Sequence, residues 1–269
     1  LNENQYEESL KYLKKLNGLE SSHLNYSIKY LYSLINSGNF KEAFNYSKSL
    51  EKQKLDNFES QLIIGIYHLK NSNSDLAKKY FLRAQERDSR FILNNYISNS
   101  LYNWSNLSNL NQAKNELEGL NERFKNLKKI QNVFLNCYFD SPKTENLFLE
   151  ITLDQNTDFS RYNYFYAAYI TSTGNTDYAK KIVKSALELF PRNLLLNQYK
   201  LDLDENRNIL SFNCKNKDHV IAEILYIAAN ALSVQSVFPQ SNFYLNLAKY
   251  LNEDFHSYDT LLAENFFKI

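Results

Sequence analysis

"YAKKIVKSALELFPRN", Tyr178 to Asn193, is the stretch that decides the fold. Ala179, Val183 and Ala186 stand four and three apart, the step of one helix face. Pro191 closes the run. The same step recurs upstream. "GNFKEAFNYSKSL" (Gly38–Leu50) carries Ala43, and "NSDLAKKYFLRAQERD" (Asn73–Asp88) carries Ala77, Phe81 and Ala84. "LNQAKNELEGL" (Leu110–Leu120) carries Ala113, Leu117 and Leu120. The anchors Ala43, Ala77, Ala113 and Ala179 are spaced 34, 36 and 66 residues apart, the last close to two periods. Twelve residues before each stands Leu31, Gly65, Leu101 or Ala167, on an earlier apolar helix. One period therefore holds two helices and two short turns.

Composition agrees. With 5 Gly and 3 Pro in 269 residues, turn-formers are too few for a sandwich or barrel of short strands. The net charge of +1 argues against a chain whose main partner is nucleic acid. No apolar run approaches the roughly 20 residues of a membrane-spanning helix; "LIIGIYHL" (Leu62–Leu69) reads as a buried helix. Cys137 and Cys214 lack a CxxC partner or a nearby histidine pair, so they read as two small buried apolar residues rather than a disulfide or zinc site.

The pattern resembles the tetratricopeptide repeat (TPR) family. That family places a small residue midway along its first helix and another at the tight helix–helix contact. An aromatic follows four residues later, a further small residue three after that, and proline closes the repeat. The match is fullest in Asn57–Asp88 and in Ser160–Asn193. The resemblance implies an all-α solenoid, a right-handed superhelix of stacked antiparallel helix pairs, running as a single domain over residues 1–269. Its expected parts are a half repeat (1–20), repeats at 24–57, 58–93 and 94–127, and a degenerate one at 128–159. A repeat at 160–193, a degenerate one at 194–221, a repeat at 222–255 and a terminal helix at 256–269 complete it. The first residue is Leu1 and both ends read as half repeats, so a longer array is expected. A bacterial source is expected, with periplasm or envelope and cytoplasm equally open.

No catalytic, cofactor or metal site is expected. His23, His68, His219 and His256 have no second ligand at metal spacing. P-loop, GxGxxG and GxSxG motifs are absent. "TSTGNTD" (Thr171–Asp177) reads as a turn with a helix-ending glycine, and "LDLDEN" (Leu201–Asn206) as a solvated turn. Lys pairs recur at 14–15, 78–79, 128–129 and 180–181; those at 78 and 180 follow the packing alanine and read as a solvated outer face.

A ligand is expected on the first helix of each repeat, which lines the concave groove in proteins similar to this one. One stripe is Asn25, Lys29, Tyr32 and Asn36; the next is Glu59, Ile63, Ile66 and Lys70. Asn95, Asn99, Tyr102 and Asn106 repeat the first 70 residues on, and Arg161 and Phe165 occupy the later strong repeat. Asn offers both donor and acceptor to a peptide backbone, and Tyr adds flat apolar area with a polar tip. Asn is abundant throughout the chain, so composition accounts for part of this stripe. The expected function is a non-catalytic protein- or peptide-binding scaffold. A scaffold domain of a larger enzyme, such as a glycosyltransferase, and a peptide-sensing regulator are the alternatives.

Overall fold

A computed structural model describes residues 5–16, 18–87, 91–207 and 211–268. Every regular element among them is helical. Contacts divide the chain into two compact units, Leu1–Leu107 with Ile221–Ile269, and Ser108–Val220.

The first unit begins with α1 (Tyr6–Lys15), α2 (Leu24–Asn36), α3 (Phe40–Lys52), α4 (Phe58–Lys70), α5 (Ser74–Arg87) and α6 (Ile92–Ser105). Each packs on the next, and α4 also touches α2 and α6. The second unit holds α7 (Leu110–Glu118), a 3-10 turn (Glu122–Phe124), α8 (Lys125–Tyr138), α9 (Thr144–Thr152), α10 (Tyr162–Ser172), α11 (Thr176–Leu189) and α12 (Leu194–Asp204). Here too each α-helix packs on its successor. Helix α13 (Lys217–Val234) begins in the second unit and leads into the first, which α14 (Phe238–Leu251) and α15 (Ser257–Phe267) complete.

The alanines sit where the helices meet. Ala43, Ala77, Ala113 and Ala179 are buried, as are Val183 and Ala186. Small side chains let paired helices approach to about 8–10 Å. Phe81 fills the space beside Gly65: a β-carbon built there would lie 2.5 Å from the Phe81 ring.

The backbone repeats where the side chains do not. Among the described residues, seven helices end in the same left-handed turn, at Gly38, Lys54, Ser72, Asp140, Gly174, Asn206 and Ser236. The next amide then reaches back five residues: Asn39 to Leu34 O, Leu55 to Leu50 O, Asn73 to His68 O, Ser141 to Asn136 O, Asn175 to Ile170 O, Arg207 to Asp202 O and Val237 to Leu232 O. This paired closure satisfies carbonyls that a helix end would otherwise leave open.

Two sequence expectations need correction, and Lys128, from the lysine pair at 128–129, is buried. Cys137 and Cys214 are both buried, but they are joined as a disulfide with Cα atoms 6.0 Å apart. The fold brings them together across 77 residues, a pairing that no local motif signals. Lys128 donates to Glu118 O at 2.8 Å and pairs with Glu122. In "LDLDEN", Asp202 is buried, held by Gln198 at 3.0 Å and by Arg207 at 3.3 Å.

Candidate functional site

The expected groove stripes in the first unit lie along α2, α4 and α6, and they meet each other in part. Tyr32 donates to Glu59 Oε1 at 3.4 Å, which joins the α2 and α4 stripes. Burial, then the Glu59 carboxylate and Tyr244, hold the Tyr32 phenol well above its ordinary range, so it stays a neutral donor.

This face already holds a helix. Helix α14 packs against α2 and α4, and its contacts fall on the expected residues. Phe243 meets the Tyr32 ring at 4.7 Å. Asn36 donates to Pro239 O at 3.4 Å and accepts from Asn246 Nδ2 at 3.1 Å. Lys70 reaches Leu251 O at 3.5 Å and Glu253 at 3.3 Å, and lies over the Tyr250 ring at 5.7 Å. Tyr244 donates to Asn94 Oδ1 at 3.3 Å, and Asn242 donates to the Tyr6 hydroxyl at 3.2 Å. Ile63 and Ile66 are 3% and 1% exposed, and Glu59 8%, so the middle of the α4 stripe is interior.

What stays accessible is the outer part of the stripe. Asn25 and Lys29, on the first half of α2, are exposed. Asn95, Asn99, Tyr102 and Asn106 are half-buried. Asn99 folds back onto its own helix, donating to Asn95 O at 2.7 Å. Lys78 bridges the last two, with its ammonium 5.9 Å from the Tyr102 ring centre and bonded to Asn106 Oδ1.

In the second unit Phe165 is 1% exposed, inside an aromatic cluster. It meets Phe134 at 5.5 Å, Tyr162 at 5.4 Å and Phe212 at 4.5 Å. Arg161 covers its ring from 5.4 Å. Phe212 comes from residues 211–216, which precede α13. In each unit, then, residues read as groove positions touch another part of the same chain.

The α14 partners Pro239, Asn242, Phe243, Asn246 and Tyr250 escaped the sequence reading. Their signal was the missing solvent face. "FPQSNFYLNLAKYL" has one charged side chain, Lys249, and a helix without a charged face is buried on several sides.

Two further features of the sequence have packing or turn roles. His68 stacks on Tyr80 at 5.6 Å and meets Phe44 edge-on at 5.7 Å. Burial, then nearby Lys48, lower its basicity. Gly174, φ +87°, ends α10 within "TSTGNTD". Among the described residues, no group of His, Cys, Asp and Glu could hold a metal ion, and no helix is long and apolar enough to cross a membrane.

Sequential packing of helices with their neighbours is compatible with a helical-repeat protein. No protein-family model matches the chain, and no curated protein matches it.

Proposed function

We propose that this chain is a TPR-type repeat scaffold that binds a protein or peptide segment on the first-helix side of its helix pairs and carries out no chemistry of its own. One observation supports the reading above the others: α2 and α4 already receive a helix there, α14. They do so with the mixture of ring contacts and Asn or Lys bonds to backbone that peptide recognition uses (Tyr32–Phe243, Asn36–Pro239 O, Lys70–Leu251 O). A partner segment would meet the accessible continuation of that face, Asn25 and Lys29 on α2 and Asn95, Asn99 and Tyr102 on α6. The disulfide suits an oxidising compartment, which favours a bacterial envelope setting over the cytoplasm.

The test is affinity capture from native lysate with Lys29, Asn99 and Tyr102 changed to Ala, beside the unchanged protein. Tyr32 is unsuitable, because its loss would open a space against Phe243. A partner lost from the triple variant, at unchanged helicity, is the expected result. An identical partner set in both captures would remove this face from consideration.

A further inference from the structure

Residues 211–216, which precede α13, are pinned at several points and alternate buried and exposed side chains over 212–215. Phe212 and Cys214 point inward and are buried, while Asn213, Lys215 and Asn216 are exposed. Phe212 caps the cluster on α8 and α10, 4.5 Å from Phe165 and 5.2 Å from Phe134. The Ser211 hydroxyl lies 2.9 Å from that of Tyr164. Cys214 is tied to Cys137 near the end of α8. Polar ties add to these. Lys215 pairs with Asp140 at 2.5 Å, with both side chains more than half exposed. The Asn213 amide donates to His219 Nδ1 at 3.0 Å. The Lys215 amide donates to Asn213 Oδ1 at 2.9 Å, and the Asn216 amide to Asn213 O at 3.0 Å.

We propose that residues 211–216 form a redox-sensitive strap, released when a dithiol reduces Cys137–Cys214, so that the aromatic face of α8 and α10 around Phe134 and Phe165 is uncovered. The chemistry is ordinary exchange. A reductant thiolate attacks one sulfur, the other leaves as a thiolate, and the reductant's second thiol resolves the mixed disulfide. Two electrons pass to the protein sulfurs, which take up two protons, and the reductant becomes the oxidised disulfide. Exposed ion pairs such as Lys215–Asp140 contribute little by themselves, and the strap belongs to no helix whose hydrogen bonds would hold it. The disulfide is the covalent tie that a reductant removes; without it the strap is held by the burial of Phe212 and by hydrogen bonds at Ser211, Asn213 and Lys215. The strap does not depend on the binding function proposed above.

The test is hydrogen exchange on the full chain, oxidised and then treated with dithiothreitol. Denatured without reductant, the oxidised protein is expected to show no maleimide-reactive thiol. After reduction the amides of Asn213, Lys215 and Asn216 are expected to exchange at least about tenfold faster, while α8 and α10 stay protected and far-UV circular dichroism is unchanged. The double variant Cys137→Ser/Cys214→Ser is expected to match the reduced protein and ignore dithiothreitol. Two reactive thiols at the outset would overturn the proposal. So would equal exchange in both redox states. Loss of helix protection throughout 108–220 would also overturn it, because the bond would then staple the whole unit rather than one strap.

Discussion

Gly65 and Phe81 are fitted to each other: any β-carbon at Gly65 would lie 2.5 Å from Cε1 and 2.7 Å from Cδ1 of the Phe81 ring. That ring is wholly buried, so it has little room to give way. Alanine at position 65 gains up to about 1 kcal/mol in helix propensity, but overpacking costs roughly 1–3 kcal/mol. Gly65→Ala is therefore expected to lower the urea midpoint. Combining it with Phe81→Leu, which shortens the obstructing side chain, should cost less than the two single changes added together. Strict additivity would show that the two residues do not compete for one space.

The recurrent left-handed turn gives a prediction with opposite signs at equivalent positions. Ser72 holds φ 59° and Asp140 φ 52° in the turn that Gly38 and Gly174 make. The left-handed conformation costs an L-residue roughly 1–2 kcal/mol, partly offset by the greater chain entropy of glycine. Ser72→Gly should leave the melting temperature unchanged or raise it. Gly174→Ala, at φ +87° with open space around it, should lower it through backbone strain alone.

Seating of α14 can be measured directly. Phe243 is fully buried against Tyr32 and Tyr244. Its truncation to Ala is expected to cost about 3–5 kcal/mol, read as a shift in the chemical denaturation midpoint. A cost below about 1 kcal/mol would mean that α14 contributes little to the first unit.

Alkaline titration should report the buried phenols. Burial first, then the Glu42 carboxylate, raises Tyr30; burial, then Glu20, raises Tyr46; burial, then Tyr178 and Glu145, raises Tyr166. An acid whose folded pKa is raised favours the fold below its unfolded value, near 10, and that contribution is lost as pH rises further. The contribution of these phenols to stability should therefore be level below about pH 9 and fall above about pH 10. Tyrosinate absorbance should rise in two phases, the second coinciding with loss of helicity. A single early phase accounting for all 21 tyrosines would contradict this.

Helix pairing was legible because it is local. Alanines four and three apart, with a small or apolar residue twelve earlier, fall within one period and mark the buried contacts. The turns were only half legible. Gly38 and Gly174 announce themselves, whereas Ser72, Asp140 and Ser236 make the same closure with residues of no conformational signature. Contacts distant in sequence were not legible at all. Asn36 meets Asn246 and Cys137 meets Cys214 because the whole chain brings them together, and nothing in either neighbourhood names its partner. The stripe of Asn25 to Phe165 located first-helix side chains by helical phase. Phase alone could not say which of them the chain itself would cover.

The first unit is assembled from segments on either side of residues 108–220, and this matters during synthesis. Residues 1–107 leave the ribosome long before residues 221–269 are made. Until α14 emerges, Tyr32 lacks Phe243 and Lys70 lacks Tyr250, which leaves α2 and α4 a partly uncovered surface of the kind that chaperones hold and that neighbouring nascent chains adhere to. The order of translation thus places the most exposed stage of this protein's life in the interval while residues 108–220 are being added. Slow codons or a bound chaperone in that interval would affect yield more than the same intervention near either end.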